Sequence, residues 1–105
     1  MAGGEMNLLK QAKLMQDRLA SLQNELRERI EEGSAGGGVV KAYVNGLREI
    51  VGIKIDPQVI DPEDVETLED LVQGAVKNGL EKAKELEARE MAKITGGLSL
   101  PGLGL

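Results

Sequence analysis

The sequence predicts an α+β fold in which a long helix, a short three-stranded antiparallel sheet and a second long helix follow one another. Three observations predict it. Apolar residues from Leu8 to Leu26 recur at helical spacing, residues from Val39 to Ile55 switch to a period of two around an Asn-Gly turn, and a second helical stripe runs from Val65 to Leu86.

The first helix is expected over about residues 5–27. Leu8, Ala12, Met15, Leu19, Leu22 and Leu26 alternate steps of four and three, a heptad seam that no Gly or Pro interrupts. At 1.5 Å per residue it is roughly 35 Å long, too long to be enclosed by so small a domain, so it must project. The sheet is expected over about residues 28–56. Glu28 to Gly33 reads as a short edge strand with Ile30 its one large apolar residue, and Gly33-Ser34-Ala35-Gly36-Gly37-Gly38 as a flexible connection or a set of bulges. Val39–Val44 and Glu49–Ile55 read as strands, with Val51, Ile53 and Ile55 on one face. Asn45-Gly46-Leu47-Arg48 is the hairpin turn between them, Asn-Gly supplying the positive φ angles. Pro57 ends the last strand, and Gln58-Val59-Ile60 forms a connector of about one helical turn.

A second helix is expected over about residues 62–94, with Asp61 as N-cap and Pro62 at its first position. Its stripe is Val65, Leu68, Leu71, Val72, Ala75, Val76, Leu80, Ala83 and Leu86. Gly74 and Gly79 weaken it, by about 1 kcal/mol each against Ala if exposed, unless they admit a close neighbour. Gly96-Gly97 ends it. Residues 1–97 thus form a single domain, and 98–105, without charge or period, are expected to be disordered. A sheet of three short strands cannot bury its own face and leaves unpaired edges, and both helices overhang it; a homodimer joined through the sheet region follows.

Composition excludes much chemistry. The 105 residues contain no His, Cys, Trp or Phe, and Tyr43 is the one aromatic. Zinc sites, thiol nucleophiles and histidine acid–base catalysis are therefore absent; carboxylate chemistry and magnesium sites survive that cut, but no motif in the sequence supports them. The glycine run fails as a phosphate loop: Gly33 and Gly38 have the Walker separation, but Val39 stands where Lys is required. The dinucleotide fingerprint fails too, Lys41 occupying the third glycine position after Gly36 and Gly38. No Ser has a His or a Ser-x-x-Lys partner to activate it, so no enzyme and no small-molecule substrate are expected. The first residues lack a basic start and an apolar run, and no stretch is long enough to span a bilayer; a soluble, intracellular protein without membrane contact is expected.

The net charge of −5 is unevenly distributed. Residues 61–70 hold six acids and no base, which leaves 12 acids against 13 bases elsewhere. The acidic block suits the start of a helix, where free N–H groups and the dipole favour negative charge. If the two helices lie antiparallel, Lys10, Lys13 and Arg18 gather with Lys84, Arg89 and Lys93 toward one overhanging tip, a prong for phosphates. The competing account makes these solvated helix charges, offset by Glu5, Asp17, Glu87 and Glu90.

Longer strings carry a more specific signal. Glu32-Gly33-Ser34-Ala35-Gly36-Gly37-Gly38-Val39-Val40-Lys41, Val44-Asn45-Gly46, Lys54-Ile55-Asp56-Pro57, Asp61 through Val72, Lys93-Ile94-Thr95-Gly96-Gly97-Leu98 and Leu8-Leu9-Lys10-Gln11-Ala12 together resemble the YbaB/EbfC family of nucleoid-associated proteins. The resemblance spans almost the whole chain in order. It implies a tweezer-shaped homodimer with a β-sheet centre and two protruding helical arms, cytoplasmic and associated with the bacterial nucleoid, binding duplex DNA without a cofactor. It also implies roles in chromosome organisation, gene regulation or recombination and repair. Carried onto this chain, the family's DNA contacts fall on Lys10, Lys13, Arg18, Arg89 and Lys93, with Glu5, Glu87 and Glu90 diluting the arms' positive charge. Contacts of this kind predict phosphate-dominated binding with weak sequence preference, since the one aromatic leaves no platform for stacking single-stranded bases. The rival function is a homodimeric adaptor whose arms engage a partner protein.

Overall fold

A computed structural model describes residues 2–96, so the expectation for residues 98–105 lies outside the described residues. Helix α1 spans Ala2–Glu28, strands β1, β2 and β3 span Ile30–Ala35, Val40–Asn45 and Ile50–Ile55, a 3-10 turn covers Pro57–Val59, and helix α2 spans Val65–Thr95. The expected α-β-β-β-α order is the observed one. The strands form one antiparallel sheet in the order β1-β2-β3. Val40 pairs with both Ala35 and Ile55, and a bulge interrupts the β2–β3 register between Tyr43 and Val44.

The first half of α2 lies across β1 and β2, and its second half leaves the sheet alongside α1 in an elongated body of 75 × 25 × 16 Å. Two apolar clusters result. Val40, Ala42 and Ala75 are fully buried between sheet and helix, with Leu68, Leu71, Val72 and Ile55 around them. At the root of the arm, Leu22 and Leu26 of α1 pack on Leu86, with Leu47, Met91 and Ile94 closing the cluster. Beyond Leu19 the α1 seam has no cover: Leu22 is 4% exposed and Leu8 is 68% exposed. The helix projects as its length requires.

Backbone contact, and not side-chain interdigitation, sets how closely α2 approaches β1. Gly33 sits in β1, not in a loop, and a Cβ there would collide with the Ala75 carbonyl oxygen and the Gly79 nitrogen. A Cβ on Gly79 would lie 2.7 Å from Val44 Cγ2. Strand β1 continues through Ala35, and the turn is confined to residues 36–39, with Gly36, Gly37 and Gly38 all at positive φ.

Two turns differ from expectation. In the β2–β3 hairpin the left-handed residue is Arg48, at φ 65°, and neither Asn45 nor Gly46 takes positive φ. Arg48 N donates to the Asn45 carbonyl and Asn45 N to that of Glu49, a three-residue loop closed by a left-handed residue. The buried Asn45 side chain organises it: Oδ1 accepts from the backbone N–H groups of Leu47 (3.0 Å) and Glu49 (2.9 Å), and Nδ2 donates to Glu49 Oε1 (2.8 Å). Gly46 is required for packing, because a Cβ there would fall 2.8 Å from Leu26 Cβ, Cδ2 and O. Helix α2 begins three residues later than expected. Asp61 Oδ1 accepts from Glu63 N in a separate turn, and the N-cap is Asp64, whose carboxylate accepts from Thr67 N and, at 2.6 Å, from the Thr67 hydroxyl.

These contacts separate the glycines by role. Gly33→Ala should destabilise the protein by about 3 kcal/mol, since its Cβ overpacks against backbone. Gly74→Ala meets only Ala35 Cβ at 3.5 Å, an ordinary contact, and should stabilise by about 0.5–1 kcal/mol through helix propensity. Urea denaturation of both variants checks the pair.

Candidate nucleic-acid interface

The arm consists of α1 and the second half of α2, antiparallel because Leu22 and Leu26 must meet Leu86, Met91 and Ile94. This packing brings Arg18 and Lys93 to one shallow depression of about 300 Å³, which Asp17, Glu25 and Glu90 also line. Leu14 and Ile94 close it, so α2 ends beside that level of α1. Lys13 and Lys10 follow within roughly 6 Å along the α1 axis past Leu14, where α1 continues alone. Lys84, expected at the tip, instead borders a groove beside Arg48 and Leu80 near the sheet.

Ion pairing further distinguishes the cations. Glu90 Oε1 accepts from Lys93 Nζ at 2.9 Å and lies 3.8 Å from Arg29 Nη1. The Lys93 hydrogen bond, followed after the opposing effect of burial by the charges of Lys93, Arg29 and Arg89, holds the Glu90 carboxyl below its ordinary range. Glu87 pairs with Arg48 at 3.1 Å. Among the described residues no carboxylate lies within 4 Å of the terminal nitrogens of Lys10, Lys13, Arg18 or Arg89. Over residues 2–18, Lys10, Lys13 and Arg18 outnumber Glu5 and Asp17, whereas Lys84, Arg89 and Lys93 of α2 are matched by Glu85, Glu87 and Glu90. The positive character of the arm therefore belongs to α1. The i,i+3 spacing of Glu90 and Lys93 signalled their pairing in the sequence; the approach of Arg29 had no such signal.

The sheet edges are treated unequally. On β1, α2 covers the free backbone groups: Asn78 Oδ1 accepts from Ser34 N at 3.1 Å, and Lys82 Nζ donates to the Glu32 carbonyl at 2.8 Å. Strand β3 has no such cover among the described residues. Its Ile50, Val51 and Ile53 are 52%, 54% and 42% exposed. A groove of about 620 Å³ lined by Val76, Leu80 and Arg48 runs along the neighbouring flank of α2. An open edge with apolar flanks is the kind of surface that pairs with another strand.

Among the described residues, no helix is long and apolar enough to cross a membrane, and no group of three or more His, Cys, Asp or Glu side chains is arranged to hold a metal ion.

The family model of the YbaB/EbfC DNA-binding family matches residues 1–98. A nucleoid-associated protein of Thermoanaerobacter pseudethanolicus is 55% identical over 97 residues, covering 92% of this chain and 87% of its own length. Another, from Moorella thermoacetica, is 55% identical over 103 residues, covering 97% of this chain and 99% of its own. The crystal structure of an uncharacterized protein from Helicobacter pylori shares the fold at a TM-score of 0.75 and 25% identity, over 85% of this chain and 94% of that one.

The Glu90 cluster yields a pH test. A carboxyl whose pKa is lowered by folding adds stability that is complete above its unfolded value, near the ordinary 4.5, and lost as pH falls through the folded value. The difference in melting temperature between wild type and Glu90→Gln should hold constant above that value and shrink below it, as a melting series across acidic pH would record.

Proposed function

The chain belongs to the YbaB/EbfC DNA-binding family, a family of DNA-binding proteins and not of enzymes, and on that premise we propose that it grips duplex DNA by its phosphates, as a homodimer, in the nucleoid. The observation that carries this reading is the α1 arm. It stands clear of the body with Lys10, Lys13 and Arg18 outside any ion pair among the described residues. Long, unpaired cations on a projecting helix suit charge-assisted bonds to phosphate oxygens, which position a duplex without reading its sequence. Arg89 adds to this set. Lys93 contributes less, because Glu90 already holds it.

The homodimer reading rests on β3. Antiparallel pairing of two such edges would join two sheets into one and cover Ile50, Val51 and Ile53, and it would set two arms on one body. Ile53→Asp should then give a folded monomer by analytical ultracentrifugation, with much weaker DNA binding because one arm is lost to each duplex.

A second reading, an adaptor for a partner protein, is favoured by Leu8, Leu9 and Leu14, all more than half exposed on the same arm. Fluorescence anisotropy of a labelled linear duplex and a scrambled one, across salt concentrations, separates the two. Phosphate gripping predicts similar binding to both duplexes, with log K falling against log salt at a slope of roughly −3 to −5 for each arm engaged, an arm neutralising about four or five phosphates. Lys10→Gln/Lys13→Gln/Arg18→Gln should reduce affinity at least about tenfold, flatten that slope and leave the fold intact. A flat salt response, or no binding at low salt, would transfer the arms to the adaptor reading.

A further inference from the structure

We propose that the sheet face turned away from α2 is a second phosphate-binding surface for duplex DNA, built from Ser34, Lys41, Tyr43 and Lys54. The inference rests on the DNA-binding reading above and places contacts far from the arm. Strand alternation defines the face: Val40, Ala42 and Val44 are fully buried on the inner side, which sends Lys41 and Tyr43 to the other. Ser34, Lys41 and Lys54 stand opposite one another in a single row across all three strands, with Glu32, Tyr43 and Gly52 in the next. Helix α2 packs on the inner face, and α1 reaches β2 only weakly, at the arm root.

The charges on this face are arranged as a free sheet would not favour. Lys41 and Lys54 are direct cross-strand partners, and like charges placed opposite one another destabilise a sheet. Two carboxylates lie nearby and offset the pair only in part. Glu32 Oε1 forms an ion pair with Lys41 Nζ at 3.6 Å, longer than a hydrogen bond, which leaves the second ammonium group unmatched. The Asp56 Oδ1 is engaged at 2.9 Å by Gln58 N, where it caps the 3-10 turn. Lys54 has no carboxylate within 4 Å among the described residues. Both lysines border a shallow depression of about 330 Å³, opened on one side by Gly38. The Tyr43 ring lies beside Gly52, where a Cβ would make only an ordinary contact with Tyr43 Cδ2 at 3.6 Å. A surface bearing two ammonium groups and two hydroxyls against the one ion-paired Glu32 carboxylate, with no base-reading amide, offers the donors that hold a duplex backbone.

The test uses the full chain, with Lys41→Gln/Lys54→Gln beside wild type, the charge-keeping Lys41→Arg/Lys54→Arg, and Lys10→Gln/Lys13→Gln. Duplex anisotropy is measured across salt concentrations, and melting temperature is measured without DNA. The Gln variant should lose about tenfold or more in affinity, with the salt slope shallower by about two for each protomer engaged. Its melting temperature should be unchanged or higher, because the opposed charges are gone. The Arg variant should bind like wild type. If wild type binds duplex and the Gln variant matches it in affinity and slope, the second surface is overturned while the DNA reading stands. Equal loss in the Arg variant would also overturn it, by showing that charge is not what matters. If wild type itself does not bind, the DNA reading fails and this inference fails with it.

Discussion

The bare contact between Gly33 of β1 and the Ala75–Gly79 backbone of α2 is the constraint on which the rest of the structure depends. With no side chain between them, helix and strand approach closely enough for α2 side chains to reach past the sheet. Asn78 and Lys82 can then bond to Ser34 and Glu32 and satisfy the outer edge of β1. A helix seated over β1 and β2 leaves β3 uncovered, so the same contact that closes one edge leaves the other open. It also sets the height at which the rest of α2 departs from the sheet and meets α1 at Leu86.

The arm root is fixed by similarly direct means. Gly46 N donates to the carbonyls of both Leu26 (2.7 Å) and Arg29 (3.0 Å), and the absence of a side chain at Gly46 lets Leu26 sit on the turn. Arg48 adds a bond from the hairpin to Glu87 of α2. Sheet, α1 and α2 thus converge on one loop, and α1 extends outward alone beyond Leu14, where α2 ends. The acids of the chain largely stay behind: the block at 61–70 lies at the sheet end of α2, stabilised by the helix start it precedes and caps.

Much of the architecture was legible because its signals are local. Helix periods, the strand alternation of Val39–Ile55 and the Pro57 break are properties of neighbouring residues. What escaped depended on distant ones. Periodicity marks Leu8 and Leu26 alike as apolar seam, and only the length of α2 decides that one is covered and the other not. Gly33 read as the boundary between an edge strand and a glycine-rich connection, because glycine weakens a strand; its reason for being there lies 46 residues away in Gly79. Asp61 is the expected helix cap, but Asp64 takes that place because Thr67 offers it both N–H and hydroxyl. For the candidate site, sequence showed the sign of each charge but not its neighbours. It therefore grouped Lys84 with the tip and weighted Lys93 equally with Lys10, although Glu90 engages one and leaves the other alone.

The unsupported stretch of α1 has an evolutionary reading. Residues 6–18 bear on no buried cluster, so substitutions there alter charge and contact chemistry with little effect on folding, apart from helix propensity. Most proteins must trade binding against stability when a surface changes. Here the two properties occupy separate parts of one helix: Leu22 and Leu26 hold the fold and the outer turns are free to drift. Lineages could adjust how tightly such an arm holds its target in single steps, each tolerated by the fold before it is tested by selection on binding.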